Sequence, residues 1–201
     1  MGDMRRSPAL AVSALVLTLS LGLAGCSSGG PDAESGSSSS ESSNSAPALE
    51  ATPAAGATVT SDGYSYSIPE SWAEKDATAA PGADTIALDS NVVGDFANNV
   101  NVVLSPNGAF TPDEIEDTVK DELESGGGEN VEVHDRLTVA GGETAHVTAS
   151  TSASGVNYYI HQYYLTNDDQ TYVVTFSFGE TVPDDEAVDI AESILASWTW
   201  S

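Results

Sequence analysis

The chain has very few of the residues that several common functional classes need. Of its 201 residues only five are Lys or Arg, against 31 Asp and Glu, which gives a formal net charge of −26. Because phosphate binding needs clusters of Lys and Arg, this balance excludes nucleic acid as a partner. The single cysteine excludes an internal disulfide framework and Cys-rich zinc or iron–sulfur sites. Length and a hydrophobic fraction of 40% predict one packed domain with a tail.

The longest apolar run is too short to cross a membrane but has the length of a secretory signal. It covers residues 9–24, whereas a spanning helix needs about 20 residues. It follows Arg5 and Arg6 and ends in Leu23-Ala24-Gly25-Cys26. This ending resembles the lipobox of bacterial lipoproteins. The resemblance implies that residues 1–25 are a lipoprotein signal peptide and that Cys26 receives a diacylglyceryl group.

Membrane attachment is expected to come from this lipid. Removal of the signal would leave three basic residues against 30 acidic ones, a net charge of −27. Such a chain is repelled by anionic surfaces. Two acyl chains at Cys26 would hold the protein on the extracytoplasmic face of the cell membrane. Residues 26–56, rich in Ser, Gly, Pro and Ala, are predicted to be a disordered tether, because they have no apolar periodicity with which to form a core.

Residues 57–201 are predicted to form one α+β domain. Thr111-Pro112-Asp113-Glu114 fits a capping box and predicts a helix that ends at Gly126, and a second helix is predicted at 183–198. The last four predicted strands are separated by short turns and should form an antiparallel meander. In chain order, the predicted strands are 57–60, 64–68, 85–89, 99–104, 131–139, 145–153, 156–166 and 171–178.

Segments of this domain resemble motifs of PsbP-like domains, and in particular of their actinobacterial branch, the LpqN/LpqT lipoprotein family. They are 64–72 (YSYSIPESW), 96–102 (FANNVNV), the hairpin 158–178 and 191–198 (AESILASW). The resemblance covers residues 58–200. It implies an α/β/α sandwich, in which helices flank a central antiparallel sheet. It also implies a role in the cell envelope, and it supplies no catalytic residues.

The main candidates for ligand binding are histidine and tyrosine side chains of the meander. If the aliphatic residues of each strand share one face, the histidines lie together on the other. They would form either a polar, aromatic-lined pocket under a helix or an ordinary hydrogen-bonded layer. The set consists of His134, His146, His161, Tyr159 and Tyr163.

The register of the first hairpin of the meander follows from keeping its aliphatic residues on one face. This requires a three-residue loop at 141–143, so that residue 140 pairs with residue 144. His134 is then predicted to lie opposite Ser150, and His146 opposite Thr138. A one-residue slip in this hairpin would move His134 to the other face.

The second hairpin is predicted to turn at Ser154-Gly155, a two-residue loop. His146 then lies opposite Tyr163, and His161 lies opposite Thr148. This makes His146 and His161 diagonal neighbours, within reach of one bridged ligand.

Motifs for catalysis, metals or cofactors are not recognisable. The predicted domain, 57–201, has no Gly-x-Ser-x-Gly elbow, no His-Glu-x-x-His and no phosphate-binding loop. No third metal ligand accompanies His146 and His161. The acidic runs at 113–117, 121–124 and 184–186 lack EF-hand spacing and are interpreted as solvated faces. A dispersed Ser–His–Asp set would be recognised only from geometry.

Two functions from different classes therefore stay open. The first is a non-catalytic adaptor or accessory factor, with a monomeric domain that contacts envelope proteins. The second is a carrier that binds a lipid or glycan on the His/Tyr face. A well-packed sheet–helix interface favours the adaptor, and a cavity lined by His146, His161 and Tyr163 favours the carrier.

The lipid anchor can be tested by metabolic labelling. Radioactive palmitate should be incorporated into the native chain and should be lost in Cys26→Ser, because Cys26 is the only thiol. The neighbouring variant Ser27→Ala should keep the label. Label that persists in Cys26→Ser would show that the chain is not a lipoprotein.

Overall fold

The computed structural model describes residues 45–201, which contain ten β-strands and two α-helices. A short 3-10 turn, Ala77–Ala79, lies between the third and fourth strands. Strand β3, Trp72–Lys75, was not predicted from the sequence, whereas the other main elements were. The elements are β1 Thr58–Ser61, β2 Tyr64–Ser67, β3 Trp72–Lys75, β4 Thr85–Asp89, β5 Asn99–Leu104, α1 Pro112–Ser125, β6 Glu129–Val139, β7 Gly142–Ala153, β8 Val156–Thr166, β9 Thr171–Gly179, α2 Asp184–Leu195 and β10 Thr199–Trp200.

The strands form two antiparallel sheets. The large sheet has seven strands in the order β3-β4-β5-β9-β8-β7-β6, so its second half is the predicted meander. The small sheet has the order β1-β2-β10. Its hairpin β1–β2 was predicted, and the chain end adds β10 along β2.

The helices cover opposite faces of the large sheet. Helix α1 begins with the predicted capping box at Thr111 and buries Ile115, Val119 and Leu123 against one face. Helix α2 buries its apolar side against the other face, together with the small sheet. The α+β fold class, a central antiparallel sheet flanked by helices, is therefore confirmed.

The first hairpin of the meander differs from its predicted register. Its turn has two residues, Ala140 and Gly141, both with positive φ (49° and 88°), the geometry of the type I′ turns that match strand twist. A β-bulge between His134 and Leu137 then shifts the register by one residue. His134 consequently lies opposite His146. The two predicted pairs, His134 with Ser150 and His146 with Thr138, are not formed.

The bulge also moves aliphatic residues of β6 to different faces. Val131 packs on the α1 side, while Leu137 and Val139 pack on the α2 side. The prediction that all the aliphatic residues of this strand share one face was wrong, because a bulge reverses the alternation beyond it. The second hairpin, with Ala153 opposite Val156, has the predicted register.

Residues 46–56, which were predicted to belong to the tether, lie along the domain. Two backbone hydrogen bonds connect this segment to Thr138 of β6. The N–H of Thr138 donates to the carbonyl of Pro47 (2.8 Å), and the N–H of Leu49 donates to the carbonyl of Thr138 (3.1 Å). Farther along, the N–H of Ala54 donates to the carbonyl of Ser193 in α2 (2.8 Å). Leu49 and Ala54 also pack against the main core. The predicted domain boundary at 56 is therefore about ten residues too late.

Deletion of residues 46–56 from the full chain should lower the melting temperature by about 10 °C. The deletion removes at least three backbone hydrogen bonds to the domain, each worth about 1 kcal/mol, and about 3 °C is lost per kcal/mol in a domain of this size. Deletion of residues 32–42, which has the same length, should have little effect. Equal melting temperatures for the two deletions, measured by circular dichroism, would show that the contacts of 46–56 do not stabilise the domain.

Candidate functional site

His134, His146 and Tyr163 form a row of stacked rings on the α2 face of the large sheet. The ring centroids of His134 and His146 are 4.5 Å apart, and those of His146 and Tyr163 are 4.1 Å apart with an interplanar angle of 5°. The row arises because the three residues lie directly opposite one another on β6, β7 and β8. Opposed residues of antiparallel strands share a face, so the predicted common face of these side chains is confirmed.

His161 connects this row to helix α2. Its Nδ1 lies 3.2 Å from Nε2 of His146 in a buried hydrogen bond whose donor depends on the tautomers. The predicted diagonal contact is thus formed. On the other side, Nε2 of His161 lies 3.3 Å from Oδ1 of Asp184, in the first turn of α2. This contact does not have hydrogen-bond geometry, and Nε2 of His161 has no hydrogen-bond partner among the described residues.

Most of the predicted site is enclosed by the packing of α2. The exposed fraction is 8% for His146, 1% for His161 and 0% for Tyr163. His134 is half-buried, and its Nε2 shares a hydrogen bond of 2.8 Å with the hydroxyl of Thr148. The rings of His146, His161 and Tyr163 are packed against other side chains and line neither of the two neighbouring clefts described below.

Burial favours the uncharged form of His146. It lowers the pKa of His146 to about 3, and the charges of His134 and His161 contribute further. Burial also lowers the pKa of His161, although the Asp184 carboxylate opposes this shift. The pKa of the Tyr163 phenol is raised, mainly by burial. At neutral pH the buried histidines are therefore hydrogen-bonding groups without charge.

Tyr159 has a different position from the other predicted residues. It is half-buried, its ring stands edge-on to His161 at 5.7 Å, and its hydroxyl donates to the carbonyl of Val182 at 2.8 Å. Burial raises the pKa of Tyr159 to about 12, and carboxylates at the start of α2 contribute, Asp184 most among them. Of the five predicted residues, Tyr159 lines the two surface clefts described next.

Two adjoining clefts lie beside Tyr159, with volumes of about 540 and 320 Å³. Both are lined by Asn130, Ser150 and Tyr159, so they form one groove, which we call the Tyr159 groove. It crosses the ends of β6, β7 and β8 and reaches the start of α2. Its carboxylates come from Glu129, Glu132, Glu180 and Asp184.

A second bulge in β6 lies at this groove. The register shifts by one residue between Glu129, which lies opposite Ser150, and Glu132, which lies opposite Thr148. Asn130, inside the bulge, has a φ of 53°, a left-handed conformation that Asn adopts more readily than most residues. Sequence reasoning missed Asn130 and Glu132, because a bulge has no reliable sequence signal here.

The chemical options of the site are limited among residues 45–201. No group of three or more His, Cys, Asp and Glu side chains in this part of the chain is arranged to hold a metal ion. His161 contacts a carboxylate and a second histidine, and His134 contacts a threonine, so neither forms a Ser–His–Asp arrangement. In the same part of the chain, neither helix is long and apolar enough to span a bilayer.

Comparisons with known proteins identify the fold. No family model and no curated protein matches the chain. Among solved structures, LpqN of Mycobacterium tuberculosis matches with a TM-score of 0.50 and 16% identity, over 73% of this chain and 85% of LpqN. That protein is described as involved in cell envelope biogenesis. This chain therefore shares the LpqN-like fold, as the sequence resemblance implied, while membership of that family is not established.

Two other solved structures are similar at the same level of identity. A protein of Bacteroides thetaiotaomicron VPI-5482 matches with a TM-score of 0.50 and 14% identity, over 72% of this chain. The match covers 48% of the Bacteroides protein, so this chain spans about half its length. The cyanobacterial PsbP of Synechocystis sp. PCC 6803 matches with a TM-score of 0.44 and 17% identity, over 72% of this chain and 92% of the other.

The low pKa of His146 predicts that acid destabilises the domain. Because this pKa is about 3 in the folded protein and about 6.5 in an unfolded chain, only the unfolded state binds the proton between these values. The contribution of His146 is therefore complete above about pH 6.5 and is lost as the pH falls, by about 2 kcal/mol at pH 5. This corresponds to a decrease of about 6 °C in melting temperature.

The variant His146→Phe keeps a ring against Tyr163 and cannot titrate, so its melting temperature should fall much less between pH 7.5 and 5.0. His134→Gln removes another histidine of the row and serves as the control, which should keep most of the decrease. The same decrease in His146→Phe as in the native protein would contradict this assignment.

Proposed function

We propose that the protein is a membrane-anchored, extracytoplasmic lipoprotein that acts as a non-catalytic adaptor or accessory factor in the cell envelope. The observation that carries this proposal is the closed packing of the predicted site. His146, His161 and Tyr163 are buried in the interface between the large sheet and α2. A domain whose polar interior is closed interacts through its surface, as an adaptor does.

The anchor in this proposal is the lipid on Cys26. Its support is the charged start, the apolar run and the Leu23-Ala24-Gly25-Cys26 ending of the signal. The acidic surface of the domain supports the same arrangement, because it has no basic patch that would hold anionic lipid headgroups. The lipid therefore has to supply the attachment by itself.

The place of action in this proposal is the cell envelope. The fold is shared with LpqN, which is described as involved in cell envelope biogenesis. Fold similarity at 16% identity does not transfer a function, but it agrees with the exported, lipidated chain that the signal predicts.

A carrier of a small polar ligand is the second candidate, and one observation favours it. Tyr159 lines a groove whose two parts have volumes of about 540 and 320 Å³, in the range of small-molecule sites. Such a carrier would use the edge of the His/Tyr face around Tyr159. It would not use the enclosed rings of His146, His161 and Tyr163.

Native mass spectrometry of the protein released gently from its own membranes distinguishes the two candidates. For the adaptor, we expect the mass of the lipidated chain, alone or with another protein, and no reproducible small-molecule mass. Cys26→Ser should lack the lipid mass and should be recovered outside the membrane fraction. A reproducible extra mass that is lost in Tyr159→Ala would identify a carrier and contradict the adaptor proposal.

A further inference from the structure

The carboxylates of the Tyr159 groove have no basic side chain to neutralise them. Residues 45–201 contain only three Lys or Arg residues, namely Lys75, Lys120 and Arg136. Arg136 forms ion pairs with Asp113, Glu116 and Glu143, on α1 and β7. Lys120 lies 4.0 Å from Glu124 within α1, and Lys75 lies on β3, at the opposite edge of the large sheet from β6.

The charge of the groove is therefore concentrated and uncompensated. Glu129, Glu132 and Glu180 are exposed and form no ion pair with any basic residue of the described chain. Asp184 forms no ion pair with Lys or Arg in the described chain, and it contacts the ring of His161, whose neutral form is favoured by burial. Four carboxylates around one groove create a negative potential that attracts cations and repels anions.

An unpartnered buried group lies directly beneath the groove. His161 is 1% exposed, and its Nε2 has no hydrogen-bond partner, although it points towards the groove-lining carboxylate of Asp184 at 3.3 Å. Thr148 and Tyr159, which flank His161 on β7 and β8, line the same cleft. A buried polar atom without a partner costs free energy, and a ligand that repositions Asp184 would relieve this cost.

The groove also has a surface for the flat part of a cationic side chain. The Tyr159 ring is half-buried and lines both clefts, while its hydroxyl is held by the carbonyl of Val182. Guanidinium groups bind over aromatic faces and donate to carboxylates at the same time. Asn130 and Ser150 line both clefts, and their amide and hydroxyl groups are donors and acceptors for the backbone of an extended segment.

We propose that the Tyr159 groove is the docking site for a basic, arginine-bearing segment of a partner protein. This inference rests on the proposed adaptor function and adds the chemistry of its partner. The charge complementarity of the groove selects the occupant: an acidic segment or an anionic lipid would be repelled by Glu129, Glu132, Glu180 and Asp184. The bulge at Asn130 and the start of α2 form its two sides.

The test measures binding of a fluorescein-labelled penta-arginine peptide to the full lipidated chain in a non-ionic detergent, by fluorescence anisotropy. Replacement of Glu132 and Glu180 by Gln should weaken binding by at least about fivefold, as expected for the loss of two partly exposed ion pairs. The control Asp117→Asn/Asp121→Asn changes the net charge by the same amount on α1, on the opposite face of the sheet. This control should change the affinity by less than about 1.5-fold. A larger change would show that the net charge of the protein, and not the groove, determines binding.

Location of the peptide follows from hydrogen exchange on the same samples. Bound penta-arginine should protect backbone amides at 129–132, 148–152 and 180–184. Equal affinities of the groove variant and the control variant would overturn the proposal, because binding would then reflect net charge alone. Protection of these segments by chitotetraose, without protection by penta-arginine, would also overturn it in favour of a neutral glycan.

The docking-site proposal and the adaptor proposal can fail independently of each other. If a partner protein still accompanies Glu132→Gln/Glu180→Gln in native mass spectra, the adaptor stands and the groove is not its docking site. If a small-molecule ligand is found on the native protein while penta-arginine binding depends on the groove carboxylates, the adaptor fails and the groove remains a site for cations.

Discussion

Packing of helix α2 against the large sheet, beside the small sheet, is the contact on which the rest of the structure depends. Its apolar side joins the core of the large sheet to that of the small one, where the ring of Trp198 stacks on Tyr64 at 4.6 Å and on Tyr66 at 5.6 Å. Alanines at 187 and 191 let the helix approach closely, and each fully buried Ile or Leu contributes about 2 kcal/mol. The same contact encloses His146 and His161, and the Tyr159 groove opens where the helix begins.

The parts of the fold with strong local signals were predictable from the sequence. The capping box at Thr111, the period-two alternation of β7 and β8 and the turn at Ser154-Gly155 each specify a local geometry, and the structure has all three. The pairing of His146 with Tyr163 follows from that turn, so this part of the candidate site was predictable as well. Register in a hairpin depends on its turn, and this turn has a glycine where positive φ is needed.

Strand β6 shows why the remainder was not predictable. Its two bulges depend on how the strand fits β7 and α1, and the turn at Ala140-Gly141 places alanine in a left-handed conformation that sequence rules disfavour. The Tyr159 groove lies at the bulge around Asn130, and of its four carboxylates only Asp184 belongs to an acidic run that was interpreted from the sequence, as a solvated face. The attachment of residues 46–56 to the domain was not predictable for another reason. These residues bind the domain mainly through backbone groups, which every sequence has.

The attachment of residues 46–56 also determines which end of the domain the chain enters. Pro47 and Leu49 are held at Thr138, next to the β6–β7 turn, whereas Glu132 and the groove lie at the other end of β6. Six residues of strand separate the two positions, about 20 Å. The chain therefore enters the domain beside the β6–β7 turn, and the Tyr159 groove opens at the far end of the same strand, away from the point of entry.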